Sequence, residues 1–259
     1  PECPLMPGCD EAIIRVEEVS LRYGAVEAVR NVSFRVAEGS MFGLVGSDGA
    51  GKTSLLRMIA TMIKPTTGRI FIDGENVLTS RRRIRELLGY MPQRFGLYQD
   101  LTVEENLQFF MDVYGIKGEA RKKRRERYLE FSHLQPFTRR QAGRLSGGMK
   151  QKLGLACVLV HQPRVLILDE PTNGVDPVSR REFWEMLKEM QQAGMTILTS
   201  TADLDEGEKC DQVAIMHRSS LLEIASPAAL RARFPSLEEA VIARIAEVDQ
   251  ELRNDSFRR

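Results

Sequence analysis

Three short segments of the sequence carry residues whose types and spacing suit chemistry on a phosphate ester. The first follows the pattern GxxxxGK[ST] and occupies residues 46–53. Glycines let the backbone wrap closely around phosphate, Lys52 can reach the outer phosphates, and Thr53 can bind Mg²⁺. Because an apolar run precedes this segment and a helical pattern follows it, we predict a phosphate-binding loop rather than an ordinary glycine turn.

The second segment is an apolar run, residues 165–168, that ends in the acids Asp169 and Glu170. Carboxylates at the end of a strand beside a phosphate loop can hold the Mg²⁺ shell and polarise an attacking water. We therefore predict Asp169 as a metal ligand and Glu170 as a catalytic residue. Without the phosphate loop, two solvated acids at a strand end would be the simpler interpretation.

The third segment consists of Ser146, Gly147 and Gly148 before the helical pattern of residues 152–160. A serine cap, two glycines that expose N–H groups and the positive end of a helix dipole together form a second anion site. By itself this segment is a weak signal, because it equally suits a flexible start of a helix.

Apolar runs around these segments predict the strands that hold them. Runs without alternation, such as residues 41–45 and 165–168, are typical of strands covered on both faces. The whole set predicts a central, largely parallel sheet, and its members are residues 13–19, 32–36, 41–45, 69–72, 165–168, 195–198 and 213–216.

Helical patterns fill the intervals between the strands. The predicted helices are residues 52–62, residues 104–114 behind a Thr102–Glu105 capping box, and residues 179–192 with an apolar stripe. The charged stretch from about 95 to 162 is mostly helical, so we predict a helical insertion between two strands.

The C-terminal part of the sequence predicts one more helix. Ser236 and Glu239 form a capping box, and an apolar stripe runs from Leu237 to Leu252. We expect residues 253–259 to form a polar tail after this helix.

The composition narrows the class of function. Lys and Arg number 37 against 36 Asp and Glu, and this balance disfavours a dedicated polyanion binder.

Four cysteines without a CxxC pair favour a reducing, cytosolic compartment. The apolar runs fall far short of the roughly 20 residues that cross a bilayer, so a membrane role is expected to act through a partner. The first residues lack a secretion signal and an initiator Met, which indicates a trimmed chain.

The combination, order and spacing of these motifs resemble the nucleotide-binding subunit of an ABC transporter over about residues 13–230. The resemblance implies an α/β fold with a P-loop NTPase (RecA-like) core sheet, an inserted helical subdomain and a small N-terminal antiparallel β subdomain. It implies a nucleotide-binding domain over residues 10–235, with the helical subdomain at about 95–162, and a C-terminal helix and tail over 236–259.

The same resemblance assigns roles to single residues. Tyr23 matches the aromatic that stacks on adenine, and Gln93 matches the glutamine that meets Mg²⁺ and the attacking water. Residues 173–176 match the D-loop. Glu170 and Gln93 are thus the predicted catalytic pair, and Thr53, Gln93 and Asp169 the predicted metal ligands. The predicted ATP-binding residues are Tyr23, Gly46, Ser47, Asp48, Gly49, Ala50, Gly51, Lys52, Thr53, Ser54, Ser146, Gly147 and Gly148.

Two positions depart from the family pattern. Family members usually have a histidine that holds the γ-phosphate after Ser-Thr, and here Ala202 follows Ser200 and Thr201. Loss of such a donor typically costs about 10² to 10³ in rate, so we expect slow hydrolysis or help from Thr201 or Asp203. Asp48 adds a carboxylate to the phosphate loop and is expected to weaken nucleotide binding modestly.

The sequences of residues 89–98, 145–157 and 174–177 are similar to those of bacterial multidrug exporters, in particular to the first of two ATPase halves fused in one polypeptide. The resemblance implies an ATP- and Mg²⁺-dependent motor subunit at the cytoplasmic face of the inner membrane. Its expected partners are permease subunits and a second nucleotide-binding domain. The two nucleotide-binding domains are expected to clamp ATP between one copy's Lys52 loop and the other's Gly147 turn.

The aromatic segment 95–110 suits permease docking, although Phe109 and Phe110 equally suit the core of the helical insertion. Two other functions remain open. One is a regulatory half with little hydrolysis, suggested by Ala202. The other is a protein of this family that acts on nucleic acid or ribosomes, suggested by the basic blocks 81–85 and 121–125, although we expect no nucleic-acid partner.

Overall fold

The computed structural model describes residues 12–256, with side chains described through Asp249. Within this range the chain forms two compact units. The first comprises the described residues up to Ile84 and those from Leu198 onward, and the second comprises Arg85–Ile197. Cys3 and Cys9, on which part of the compartment prediction depends, lie outside the described residues.

The described part of the chain alternates strands with helices. The strands are β1 (Ala12–Tyr23), β2 (Val26–Ala37), β3 (Met41–Val45), β4 (Thr67–Ile72), β5 (Glu75–Asn76), β6 (Leu88–Met91), β7 (Val165–Asp169), β8 (Thr196–Thr201), β9 (Gln212–His217) and β10 (Ser220–Ala225). The α-helices are α1 (Lys52–Ile59), α2 (Arg81–Leu87), α3 (Val103–Val113), α4 (Gly118–Phe131), α5 (Gly147–Leu159), α6 (Pro177–Gln192), α7 (Leu204–Gly207), α8 (Pro227–Arg231) and α9 (Leu237–Ser256).

An antiparallel sheet in the order β2-β1-β4-β5 occupies the N-terminal part of the first unit. Glu18 has a φ of 48°, and the register of β1 against β2 shifts between Val16 and Val19. A bulge of this kind inserts an extra residue, so the buried face continues at Val19 rather than at residue 18. This sheet is the antiparallel subdomain that the family resemblance implies. It contains the runs 13–19, 32–36 and 69–72, so their assignment from apolar pattern to the central, largely parallel sheet is wrong. Buried and exposed residues alternate along much of β1 and β2, which suits an antiparallel sheet with one face covered.

Strands β3 and β9 of the first unit pair in parallel, with Phe42 opposite Gln212 and Val45 opposite Ile215. Asp211 fixes this register from both sides. Its carboxylate accepts a hydrogen bond from the Met41 N–H at 2.8 Å, and its own N–H donates to the Met41 carbonyl at 2.8 Å. All five residues of β3 are buried, as its apolar run predicts.

In the second unit, β6 and β7 pair in parallel, from Leu88 opposite Val165 to Met91 opposite Leu168. Gly89 allows α5 to approach β6 closely, because a Cβ at this position would lie 2.7 Å from Val158 Cγ1. The predicted Thr102–Glu105 capping box is confirmed at the start of α3. The predicted apolar stripe of α6 is buried as well.

The C-terminal helix α9 begins at Leu237 behind Ser236, whose hydroxyl accepts the Glu239 N–H at 3.1 Å. Leu237 and Val241 are buried, in agreement with the predicted stripe. The predicted start of the tail at residue 253 is wrong, since the helix continues to Ser256. None of residues 253–256 is a glycine or proline that would end the helix. Residues 257–259 of the predicted tail lie outside the described residues.

Candidate functional site

The predicted phosphate loop connects β3 to α1 in the first unit. Its glycines occupy places that a side chain cannot enter: a Cβ at Gly46 would lie 2.2 Å from the Met216 carbonyl oxygen, and one at Gly51 would lie 2.3 Å from that of Ala28. Gly51 also has a φ of 101°, which favours glycine. The loop is therefore held close to neighbouring main chain on both sides.

Lys52, the first residue of α1, folds back over this loop. Its ammonium group donates to the Gly46 carbonyl at 2.6 Å and to the Ser47 carbonyl at 3.1 Å, and the residue is only 4% exposed. A buried cation that closes a glycine loop at a helix N-terminus provides positive charge where a phosphate group would bind.

The other loop residues differ in their access to solvent. Ser47, Asp48 and Gly49 are exposed, and Ala50 is buried. Thr53 and Ser54, in the first turn of α1, are half-buried. The first turn of α1 contains no acidic residue, so the carboxylate nearest in sequence to Lys52 is that of Asp48.

Tyr23 is the last residue of β1 and leads into a two-residue turn that ends at Val26. Its side chain is 49% exposed. An aromatic ring exposed at the end of a strand can stack on a planar ligand, which fits the role predicted for Tyr23.

In the second unit, the structure brings Glu170 and Gln93 together. Both follow the carboxyl ends of the paired strands, Glu170 directly after β7 and Gln93 two residues after β6. The Gln93 side-chain amide donates to Glu170 Oε2 at 2.9 Å. Asn173, the first residue of the predicted D-loop, donates to the same oxygen at 3.1 Å, a contact that the sequence did not predict.

Asp169 and Glu170 lie in different environments although they are neighbours in the chain. Asp169 ends the fully buried strand β7 and is 1% exposed, whereas Glu170 is 8% exposed and has a φ of 48°. A positive φ is uncommon for a residue other than glycine and marks backbone strain, which concentrates at functional sites.

The predicted second anion site begins α5. The Ser146 hydroxyl accepts the Met149 N–H at 3.3 Å, as a helix cap does. Gly147 faces open space, whereas a Cβ at Gly148 would lie 2.2 Å from Ser179 Cβ. Ser179 belongs to the first turn of α6, so the starts of α5 and α6 pack directly against each other.

Asp176 of the predicted D-loop caps α6. Its carboxylate accepts the Ser179 N–H at 3.0 Å, and this backbone hydrogen bond holds the pKa of Asp176 below its usual value. The Asp176 carboxylate therefore stays ionised at neutral pH and stabilises the N-terminus of α6.

Ala202 is exposed directly after β8. Of its neighbours, Thr201 is buried, and its hydroxyl donates to Glu206 Oε2 at 2.6 Å and accepts the Asp203 N–H at 2.9 Å. The Asp203 carboxylate accepts the Asp205 N–H at 3.0 Å. Thr201 and Asp203, the two residues expected to compensate for the missing histidine, are thus engaged in local hydrogen bonds.

The aromatic segment after Gln93 is partly exposed. Tyr98 is 46% and Phe109 37% exposed, and their rings are in contact at a centroid distance of 4.5 Å. Phe95 and Phe110 are half-buried, with ring centroids 5.4 Å apart. Buried Asn106 fixes this segment, because its side chain accepts the Tyr98 N–H and donates to the Tyr98 carbonyl. The sequence analysis missed Asn106.

The basic block 121–125 on α4 is partly neutralised by acids of α3. Arg121 pairs with Asp112, and Arg125 pairs with Glu104 at 2.6 Å. Arg124 donates instead to the Val160 carbonyl at 2.8 Å, beyond the last residue of α5. Three of the five cations in this block therefore serve contacts between helices.

Two searches over the described residues bear on membranes and metals. Among these residues, no helix combines the length and apolar character that a membrane crossing requires. The same residues contain no cluster of three or more His, Cys, Asp or Glu side chains suited to hold a metal ion.

Comparison with known sequences gives a consistent picture. Residues 29–173 match the family model described as "ABC transporter". The chain is 49% identical over 223 residues to the "Probable multidrug ABC transporter ATP-binding protein YbhF" of Escherichia coli, covering 85% of this chain and 39% of that protein. It is 39% identical over 220 residues to the "Nod factor export ATP-binding protein I" of Burkholderia orbicola, covering 85% of this chain and 72% of that protein.

Solved structures resemble the fold closely. One described as the ATP-binding subunit of an ABC transporter has a TM-score of 0.80 and 29% identity, covering 90% of this chain and 99% of that chain. Another, a dimeric post-hydrolysis state of the cassette MJ0796 bound to ADP and Pi, has a TM-score of 0.74 and 25% identity, covering 82% of this chain and 98% of that chain. These likenesses confirm the predicted α/β fold class with a P-loop NTPase core.

Proposed function

Because the chain belongs to the ABC transporter family of ATP-binding proteins, we propose that it binds and hydrolyses ATP to drive export through membrane-embedded partners. The relatives named for multidrug and Nod factor transport favour an exporter that carries small molecules. The chain matches 39% of the length of the Escherichia coli relative, which agrees with the idea that this domain works together with a second one.

The observation that carries the proposal is the position of Lys52 over the glycine loop. Its ammonium group lies 2.6 Å from the Gly46 carbonyl and 3.1 Å from that of Ser47, at the N-terminus of α1. A triphosphate bound here exchanges these neutral carbonyl acceptors for charged phosphate oxygens, and charge-assisted hydrogen bonds are about twice as strong as neutral ones. We assign the remaining loop residues and Ser54 to the phosphates, and Tyr23 to the adenine ring.

The proposed metal ligands suit Mg²⁺ by their chemistry. Thr53, Gln93 and Asp169 offer a hydroxyl, an amide and a carboxylate oxygen, and Mg²⁺ in nucleotide sites takes few protein ligands and keeps waters and phosphates. The near-complete burial of Asp169 fits a carboxylate that serves a cation rather than solvent. When bound, Mg²⁺ neutralises charge on the phosphate oxygens during transfer.

Glu170 is the proposed group that orients the attacking water, with Gln93 as its partner. The hydrogen bond of 2.9 Å between the two side chains supports a shared function. A carboxylate at this position can accept a proton from the water as it attacks the outermost phosphorus, and Lys52 can balance the charge that develops on the leaving oxygens.

We further propose that ATP joins this domain to a second nucleotide-binding domain through Ser146, Gly147 and Gly148. Gly147 faces open space at the start of α5, where its N–H can meet a phosphate of the other domain. The dimeric cassette with ADP and Pi, which has 25% identity to this chain, supports such an arrangement. Release of phosphate then removes the contacts that hold the two domains together.

Permease subunits are the proposed membrane partners, and they place the chain at the cytoplasmic face of the inner membrane. The exposed rings of Tyr98 and Phe109 support a docking surface on segment 95–110. Aromatic residues are enriched at protein interfaces relative to the rest of the surface. The ion pairs of Arg121 and Arg125 favour this function over nucleic-acid binding.

Titration with a fluorescent ATP analogue and Mg²⁺ tests the proposed binding. Lys52→Ala is expected to weaken affinity by about 10- to 150-fold, since hydrogen bonds to charged groups contribute about 1.5–3 kcal/mol. Lys64→Ala, at an exposed lysine of the same unit, serves as the control and is expected to stay within about twofold. Equal affinities for both variants would reject the assignment of the phosphate loop.

Phosphate release and dimerisation test the rest of the proposal. Steady-state release of phosphate from ATP should fall to background in Glu170→Gln. With Mg-ATP, Glu170→Gln is expected to sediment as a dimer, and addition of Gly147→Glu should return it to a monomer because the new carboxylate repels phosphate. A double variant that remains dimeric would exclude Gly147 from the ATP interface.

A slow or regulatory nucleotide site is the second candidate, and the surroundings of Ala202 favour it. Thr201 and Asp203 are engaged locally, so a substitute donor for the γ-phosphate is not evident among these two residues. Turnover no higher than that of Glu170→Gln, together with intact nucleotide binding, would support this candidate over a motor.

A further inference from the structure

The carboxylate of Glu170 accepts hydrogen bonds from two side-chain amides that come from different parts of the second unit. Gln93 reaches it from the segment after β6 at 2.9 Å, and Asn173 reaches the same oxygen at 3.1 Å from three residues further along the chain. In the proposed function Gln93 also contacts Mg²⁺ and the attacking water, whereas Asn173 is assigned only as part of the D-loop match.

Asn173 is bound to Glu170 through the main chain as well. Its N–H donates to the Glu170 carbonyl at 3.2 Å, which closes a four-residue turn with Pro171 in the second position. Proline presets the backbone there and stiffens such a turn. The contact between the Asn173 amide and the Glu170 carboxylate is therefore built into a rigid local segment and does not depend on the loop that carries Gln93.

A glutamate side chain needs such support to hold one position. Burial of a Glu side chain costs up to about 1.5–2 kcal/mol in lost rotamer freedom, and the Glu170 backbone is already strained at a φ of 48°. A donor fixed three residues away selects the rotamers in which Oε2 meets the amide. The position of the carboxylate is then set before a substrate arrives, which is the arrangement that water activation requires.

We propose that Asn173 is a positioning residue that fixes the Glu170 carboxylate for attack by water. The inference rests on the proposed function of Glu170 and adds to it a residue of the D-loop. The Asn173 side chain acts as a hydrogen-bond donor, so the charge of residue 173 and its ability to donate matter more than its volume.

Substitutions at residue 173 separate donation from shape. Asn173→Asp preserves the shape but replaces the amide donor by a carboxylate about 3 Å from Glu170 Oε2, and like charges at that distance repel. Asn173→Ala removes the donor without adding charge, and Asn173→Ser restores a small donor. Gln192→Glu changes an exposed amide of α6 into an acid and serves as the matched control.

For each variant we would measure kcat and KM for ATP, affinity for the fluorescent analogue, and thermal unfolding by Trp184 fluorescence. We expect kcat to fall by about 10-fold or more in Asn173→Ala, since a hydrogen bond to a charged group contributes about 1.5–3 kcal/mol, and to fall further in Asn173→Asp. Asn173→Ser should recover part of the loss. Nucleotide affinity and the control Gln192→Glu should stay within about twofold of the original.

The outcomes distinguish this inference from the proposed function. Turnover that depends on Glu170 but is unchanged in Asn173→Asp would overturn the positioning role and leave the proposed function intact. Parallel decreases in kcat, nucleotide affinity and melting temperature would show that Asn173 only supports the fold, and would also overturn the positioning role. Turnover that does not depend on Glu170 would remove the proposed function itself.

Discussion

Replacement of Gly148 by alanine tests how closely the starts of α5 and α6 pack. A Cβ at this position would lie 2.2 Å from Ser179 Cβ and 2.4 Å from its hydroxyl oxygen. The hydroxyl can rotate away, but Ser179 Cβ is attached directly to the main chain, so the main chain of one helix must move. Gly147, one residue earlier, has open space around the same added atom and provides the matched control.

The expected magnitudes follow from two opposing terms. Overpacking a close contact costs about 1–3 kcal/mol, while alanine in a helix gains up to about 1 kcal/mol over glycine. Gly148→Ala should therefore lower the free energy of unfolding by about 1–2 kcal/mol, whereas Gly147→Ala should leave it unchanged or raise it slightly. Ser179→Gly removes the opposing Cβ and should restore most of the loss in the double variant.

Urea unfolding followed by tryptophan fluorescence suits this measurement. Trp184 is the only tryptophan of the chain, is 3% exposed and lies on α6, one of the two helices in question. A coupling energy near zero between Gly148→Ala and Ser179→Gly would refute the packing argument. Equal stability of Gly148→Ala and Gly147→Ala would refute it as well.

Two further predictions concern turnover and pH. Ala202→His should raise ATP turnover by about 10- to 100-fold if a missing donor limits the rate, and Ala232→His, at another exposed alanine, should not; no gain would mean that another group supplies the contact. Burial lowers the pKa of His161 in the folded chain. Below about pH 6.5 the unfolded chain therefore binds a proton at this histidine that the folded chain does not bind, and the free energy of unfolding falls. The urea midpoint should drop between pH 7.5 and 5.5. The drop should be smaller in His161→Phe, whose ring can still stack on Tyr114. An equal drop in both proteins would contradict the assignment of this pH dependence to His161.

The sequence was sufficient wherever one local pattern decided the outcome. The capping box at Thr102 and the fully buried strand Val165–Asp169 lie where the pattern predicts them, because each depends on neighbouring residues or on continuous burial. The two-residue strand β5, the short strand β6 and the strand β10 were missed. In β6, Gly89 interrupts the apolar run, and only the packing of α5 explains why a glycine is needed there.

Only part of the candidate site was predicted, again because some of its residues are marked by a local pattern and others are not. The acids that end the apolar run 165–168 predicted Glu170, and the family resemblance predicted Gln93. The parallel pairing of β6 and β7 explains why their side chains meet. Asn106 was not predicted at all, and Asn173 was named only as part of the D-loop match. An asparagine that serves main-chain groups or a carboxylate looks, in sequence, like any asparagine in a turn or helix. The role of each becomes visible only when its acceptors are in place.

The positive φ of Glu170 has a consequence for the evolution of the chain. A left-handed backbone costs a non-glycine residue about 1–2 kcal/mol, and glycine would occupy position 170 without that cost. Selection for a durable fold alone would therefore favour loss of this carboxylate. In a gene copy that no longer turns over nucleotide, glycine at position 170 would relieve this strain but would also remove the hydrogen bonds from Gln93 and Asn173. If Glu170 has the proposed function, the residue at this position would mark whether a descendant still hydrolyses.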